Sequence, residues 1–148
     1  MKRADLIPGK IIPAGLLSQK AAGWRLLGKT IAFTDGIFDI LHASHISSLS
    51  LAAAEADLLI VGLNGDSSVK KLKEAQPVNN QDARALLLVS LVMVDGVVIF
   101  EEETPLALIK LLLPDVLIKT GDAKQDVVGA KEVKAAGGRV VINPPPPE

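Results

Sequence analysis

The chain alternates five short, almost wholly apolar runs with longer helical segments, and few architectures accept that pattern. The runs are Thr30 to Thr34, Leu58 to Leu63, Val97 to Phe100, Val116 to Lys119 and Arg139 to Ile142. A strand buried on one face alternates apolar and polar residues; one covered on both faces reads as continuous apolarity. Strands of that kind, separated by helices, predict an α/β domain built of βαβ units around a mostly parallel sheet. The helical candidates are Ala14 to Leu27, Ala43 to Ala56, Asp82 to Val94, a segment opened by Thr104 at the N-cap and Pro105 at N1, and Val127 to Ala136. Pro114 ends the fourth of these, and Gly137-Gly138 caps the last. Residues 1–29 form a helical lead-in, with Trp24 and Leu27 packing onto the main body. Asn143, four prolines and Glu148 form an extended tail, residues 143–148. The 148 residues leave no room for a second domain, so 1–148 reads as one unit.

Charge and composition remove several function classes. Sixteen Lys and Arg oppose seventeen Asp and Glu. No basic footprint for nucleic acid is present. Cysteine is absent, which excludes disulfides, thiolate metal sites and cysteine nucleophiles. No apolar run approaches the roughly 20 residues of a membrane span. The N-terminus has no signal-peptide core, being broken by Pro8, Gly9 and Pro13. A cytoplasmic protein is the expectation.

In open parallel sheets, ligands bind beyond the carboxyl ends of the strands, where strand order reverses. Three strand ends carry polar chemistry. They are Thr34-Asp35-Gly36 continuing to His42 and His45, Asn64-Gly65-Asp66, and Lys119-Thr120-Gly121-Asp122. The two histidines lie three positions apart where a helix should begin, so they share a face. A helix N-terminus favours phosphate, and imidazoles beside it can donate to phosphoryl oxygens. A metal pair and two capping histidines are the other readings. A zinc site wants a third protein ligand, and neither Cys nor a third His exists.

From Ile31 to Ile142 the chain resembles the cytidylyltransferase-like nucleotidyltransferases, and most closely the heptose 1-phosphate adenylyltransferases of bacterial ADP-heptose synthesis. The segments that carry the likeness include residues 33–45, 59–70, Pro77-Val78-Asn79, Arg84, 100–105, 114–119 and 128–130. The resemblance implies a Rossmann-like, three-layer, five-stranded parallel sheet of order 3-2-1-4-5. It implies ATP and Mg2+, and a sugar phosphate whose oxygen attacks the α-phosphorus while pyrophosphate leaves. By the same likeness His42, His45 and Lys119 are the catalytic candidates. Thr34, Asp35, Gly36, Phe38, Asp39, Asn64, Asp66, Lys73, Arg84, Gly121 and Asp122 are the binding candidates, with Arg84 reaching in from its helix. No protein metal site is expected. The run Leu86-Leu87-Leu88-Val89 exceeds one buried helical stripe and reads either as core on both sides or as a subunit interface; the resemblance implies a homodimer.

The departures from the family pattern cluster at the strand ends. Ser44 stands where the HxGH motif has Gly, Asp35 where Asn is usual, and Ile37 where Cys is usual. A carboxylate beside a phosphate opposes it by about 4 kcal/mol at about 4 Å for an effective dielectric of roughly 20. The loop after Lys73 is short and lacks an Arg. Ala83 replaces an Asp, Thr120 a Gly and Ala123 a Tyr. Pro144 to Pro147 stand where a Ser-Thr-Thr segment would begin. Drift would scatter such changes over the surface. An engineered derivative with a reshaped site, or a natural relative with changed or lost activity, fits the clustering. Either would make the chain a non-catalytic scaffold or a nucleotide-binding module on the same fold.

Overall fold

The computed structural model describes residues 3–121 and 126–145. Asp122 and the residues after Pro145 lie outside that description. A short 3-10 turn (Ala4–Lys10) and a second (Ala14–Leu16) lead into α1 (Leu17–Leu26). There follow β1 (Ile31–Gly36), α2 (Ala43–Ala53), β2 (Leu58–Asn64), α3 (Asp66–Lys73), α4 (Gln81–Val89), β3 (Gly96–Phe100), α5 (Leu106–Leu112), β4 (Val116–Thr120), α6 (Ala130–Ala135) and β5 (Arg139–Asn143).

All strand pairs are parallel and the sheet order is β3-β2-β1-β4-β5. Side chains alternate faces along each strand, and both faces are apolar. Ile31, Phe33, Ile60, Val98, Phe100 and Leu117 face Leu17 of α1, Leu108, Ile109 and Leu112 of α5, and Val133 of α6. Ala32, Leu59, Val61, Leu63, Val97, Val116 and Ile118 face Leu49 and Ala52 of α2 and Ala85, Leu88 and Val89 of α4. Continuous apolarity in the strands is thus the consequence of two covering layers, in a three-layer Rossmann-like fold. Among the described residues no helix is long and apolar enough to cross a membrane.

The lead-in guards an edge. Ile11 bridges Val97 in parallel, and the Ile12 amide donates to the Val97 carbonyl at 2.8 Å, so β3 does not offer a bare ladder. Trp24 packs against the core, but Leu27 is 74% exposed, contrary to the expectation that both would pack. α4 stops at Val89 rather than Val94. The Ser90 hydroxyl donates back to the Leu86 carbonyl, and a turn follows. α5 starts one residue later than expected, with Pro105 rather than Thr104 at the N-cap. The lysine-bearing segment after the second strand forms α3, an element whose polar composition hid it.

Candidate active site

β1 and β4 pair only at Ala32↔Val116 and Phe33↔Leu117, although both strands run on for three more residues. Beyond that point they part, at the place where strand order reverses. The gap opens into a crevice of about 550 Å³, within the usual range for small-molecule sites.

Thr34, Asp35, Gly36, Phe38, Asp39, His45, Asn64, Lys73 and Lys119 line this crevice, drawn from β1, β2, β4, α2, α3 and the loop after β1. Ile37, Ile40, Ser48, Leu49, Leu72, Glu103 and Thr120 complete the wall. A smaller cavity of about 230 Å³ adjoins it on the α5–α6 side and shares Asp35, Glu103 and Lys119 with it. Glu103 ends the acidic run Glu101-Glu102-Glu103. Its place at the junction of two cavities has no local sequence signal.

The histidines begin α2. His42 is the N-cap, and its Nδ1 accepts from the Ser44 amide at 3.3 Å and the Ser44 hydroxyl at 2.6 Å. The His42 amide in turn donates to His45 Nδ1 at 3.2 Å. An Nδ1 that accepts carries no hydrogen, so the neutral His45 ring has an Nε2–H donor to offer. The rings lie 4.4 Å apart between centroids. Capping thus coexists with a free Nε2–H on His45. His45 lines the crevice, while His42 stands exposed beside it. Burial, with His42 as a neighbour, pushes the His45 imidazole below its ordinary pKa.

Phe38 orders this corner. It takes a left-handed φ of 48°, unusual for a bulky residue, and meets His45 edge-on with centroids 5.6 Å apart. Gly36 makes that bend possible, because a Cβ there would sit 2.7 Å from the Phe38 ring.

Asp39 is not a helix N-cap. Its two carboxylate oxygens accept the Val78 and Asn79 amides at 2.7 and 2.8 Å, and the Asn79 side chain donates back to the Asp39 carbonyl at 2.7 Å. These amide bonds, the Asn79 one foremost, hold the Asp39 carboxyl below the usual range. Asn79 does not itself line the crevice; it holds the Asp39 that does.

Arg84 does not reach into the crevice. It is fully buried beneath it. Its guanidinium donates to the carbonyls of Asn79, Ile37 and Asn64 at 3.0, 2.8 and 2.7 Å. It also pairs with Asp66 at 2.8 Å, not with the nearby Asp82. Asp66 is thereby engaged below the wall. Gly121 follows Thr120 without lining the crevice.

Asp35 is the opposite case. It lies on the core-facing side of β1 with Ile31 and Phe33, and burial pushes its carboxyl pKa up while the Lys119 ammonium works against that. Lys119, near the end of β4 across the gap, lines both cavities with it.

The comparisons with known proteins bear on the family and the fold. The family model described as Cytidylyltransferase-like covers residues 33–143. The chain belongs to the cytidylyltransferase-like family. Within it the chain is similar to the bifunctional protein HldE of Mesorhizobium japonicum, 51% identical over 89% of this chain and 27% of that protein. It is 48% identical to HldE of Hyphomonas neptunium, over 97% of this chain and 31% of that one. The chain therefore spans less than a third of these relatives. Among solved structures, the lipopolysaccharide core biosynthesis protein of Thermoplasma volcanium superposes with a TM-score of 0.67, covering 82% of this chain and 99% of that one at 24% identity. Pantoate-beta-alanine ligase of Francisella tularensis gives a TM-score of 0.65 over 93% of this chain and 68% of that one at 15% identity. These two likenesses concern the fold.

Proposed function

We propose that this domain transfers AMP from ATP to a sugar 1-phosphate, a heptose 1-phosphate by likeness to the HldE proteins. A phosphate oxygen of the sugar attacks the α-phosphorus in line, and the bond to the β-phosphate oxygen breaks to release pyrophosphate. The carrying observation is the union of His45, Lys73 and Lys119 in one crevice at the parting of β1 and β4. The lysines offset phosphate charge, and the His45 Nε2–H donates to a phosphoryl oxygen as charge builds there. His42 stands ready beside it, and Gly121 follows the Lys119 strand end, while Asp122 lies outside the described residues. Among the described residues no three His, Asp or Glu side chains converge as a metal site. The residues thus fit magnesium as an ion carried by the phosphates, its usual mode. Bound there, it would neutralise phosphate charge. The reading belongs in the cytoplasm, and Leu86 and Leu87, each 47% exposed on α4, support a homodimer testable by light scattering.

Pyrophosphate release from ATP, with magnesium and heptose 1-phosphate, tests the reaction. Turnover that needs the sugar phosphate and falls about 10²–10³-fold in His45→Asn supports it; none above the blank at high protein concentration overturns it. A second reading, a nucleotide-binding module without chemistry, is favoured by the Asp35 carboxylate in the wall and by the Ser44 hydroxyl on His42. Calorimetric heat with ATP but no pyrophosphate would select it. Absence of both leaves a scaffold.

A further inference from the structure

Asp35 has no evident structural task. Its side chain is largely buried at the end of a strand face that otherwise holds Ile31 and Phe33. Among the described residues no backbone or side-chain group donates a hydrogen bond to it, and only the charge of Lys119 compensates it. Every other aspartate near the sheet that is comparably enclosed accepts an amide or an ion pair, as Asp66 and Asp115 do. A largely buried carboxylate without donors is disfavoured in its charged form. It opens instead onto both cavities, as part of the wall they share.

The surroundings decide what it can bind. Lys119 of β4, Lys73 of α3 and His45 of α2 face the crevice with it; so do Asp39 and Glu103, and Asp126 lines the smaller cavity. The two lysines are outnumbered by the carboxylates when all are ionised. A phosphate oxygen brought to this wall would meet a like charge at Asp35. The same oxygen would meet a hydrogen-bond donor if Asp35 carried a proton.

We propose that Asp35 takes part in phosphate binding as a carboxylic acid, donating its O–H to a phosphoryl oxygen, so that binding draws one proton from the buffer onto this side chain. The inference rests on the crevice being a phosphate site. It makes Asp35 a specificity-determining residue: protonated, it selects an anion, and ionised, it excludes one.

The probe is inorganic pyrophosphate without divalent cation, titrated calorimetrically at pH 7 in buffers of different ionisation enthalpy. Wild type and Asp35→Asn are compared, which cancels protons released or taken up by pyrophosphate itself. His45→Gln serves as a second background, since imidazole also takes up protons. Wild type is expected to take up close to one proton more than Asp35→Asn in either background. Its affinity should fall with rising pH by up to about tenfold more per pH unit than that of the variant. Equal proton counts in wild type and variant overturn the inference and leave the phosphate site standing. No pyrophosphate binding by either protein overturns both. An independent readout needs no variant. The Asp35 carboxyl 13C resonance should move towards its acid position on saturation with pyrophosphate, and a resonance that stays at the carboxylate position contradicts the proposal.

Discussion

The two ends of the sheet treat their polar side chains in opposite ways. At the amino-terminal end, Asp57, Asp95 and Asp115 accept the amides of Thr30, Leu59 and Ile31, each at 2.8 Å. These carboxylates finish hydrogen bonds that the strands cannot make for themselves. At the carboxyl end, Asp35, His45, Lys73 and Lys119 face a crevice. Beneath that end Arg84 is spent on the protein's own carbonyls, and Asp39, although in the crevice wall, is held by two backbone amides. Charge that serves folding is paired with backbone; charge kept for a ligand is left facing space. That contrast, more than the identity of any one residue, sets the carboxyl end of the sheet apart.

The contrast can be broken most severely at Arg84. Arg84→Met strands three carbonyls and the Asp66 carboxylate, and should destabilise the fold by about 3–5 kcal/mol, read from urea unfolding midpoints. Asp115→Ala, at the paired end, frees the Ile31 amide and should lower stability by about 1.5–3 kcal/mol in the same assay.

Asp35→Asn should act with the opposite sign and a smaller size. An aspartate whose folded pKa is raised destabilises the fold as pH rises above its unfolded value, so wild type carries this burden at pH 7 and loses it in acid. The variant is expected to unfold at higher urea at pH 7, with the gain fading towards pH 4. Asp39→Asn should mirror it: a depressed pKa contributes stability at neutral pH that disappears as pH falls through the folded value, so its loss is visible at pH 7 and absent in acid. Matching pH profiles for the two variants would erase the distinction. Ser44→Gly removes the hydroxyl on His42 Nδ1 and should change stability by no more than about 0.5 kcal/mol, while moving the His42 ring nitrogen resonances in 15N NMR.

The α/β class and the parallel sheet were legible because five apolar runs need cover on both faces, while the strand order came from the family resemblance. The histidine pair and Lys119 were legible as strand-end chemistry for the same reason. Arg84 was not: its partners Ile37, Asn64 and Asn79 come from three separate segments, and only the folded chain joins them. Asp39 before a helix looks like a cap, yet its oxygens go to a loop forty residues on. Leu27, with its neighbours in a helical stripe, gave no sign that the helix would end and leave it in solvent. The enclosure of Asp35 could have been read from parity, since it shares its face with Ile31 and Phe33.

The central claim is that the crevice between β1 and β4 grips a triphosphate beside the two imidazoles. Having only two histidines makes this directly visible in 15N NMR of the imidazole nitrogens during an ATP titration. The account predicts saturable shifts at His45 and His42, with the His45 pKa rising as its ring meets phosphate. Rings that do not respond at saturating ATP, or a response that survives Lys73→Ala combined with Lys119→Ala unchanged, would contradict it.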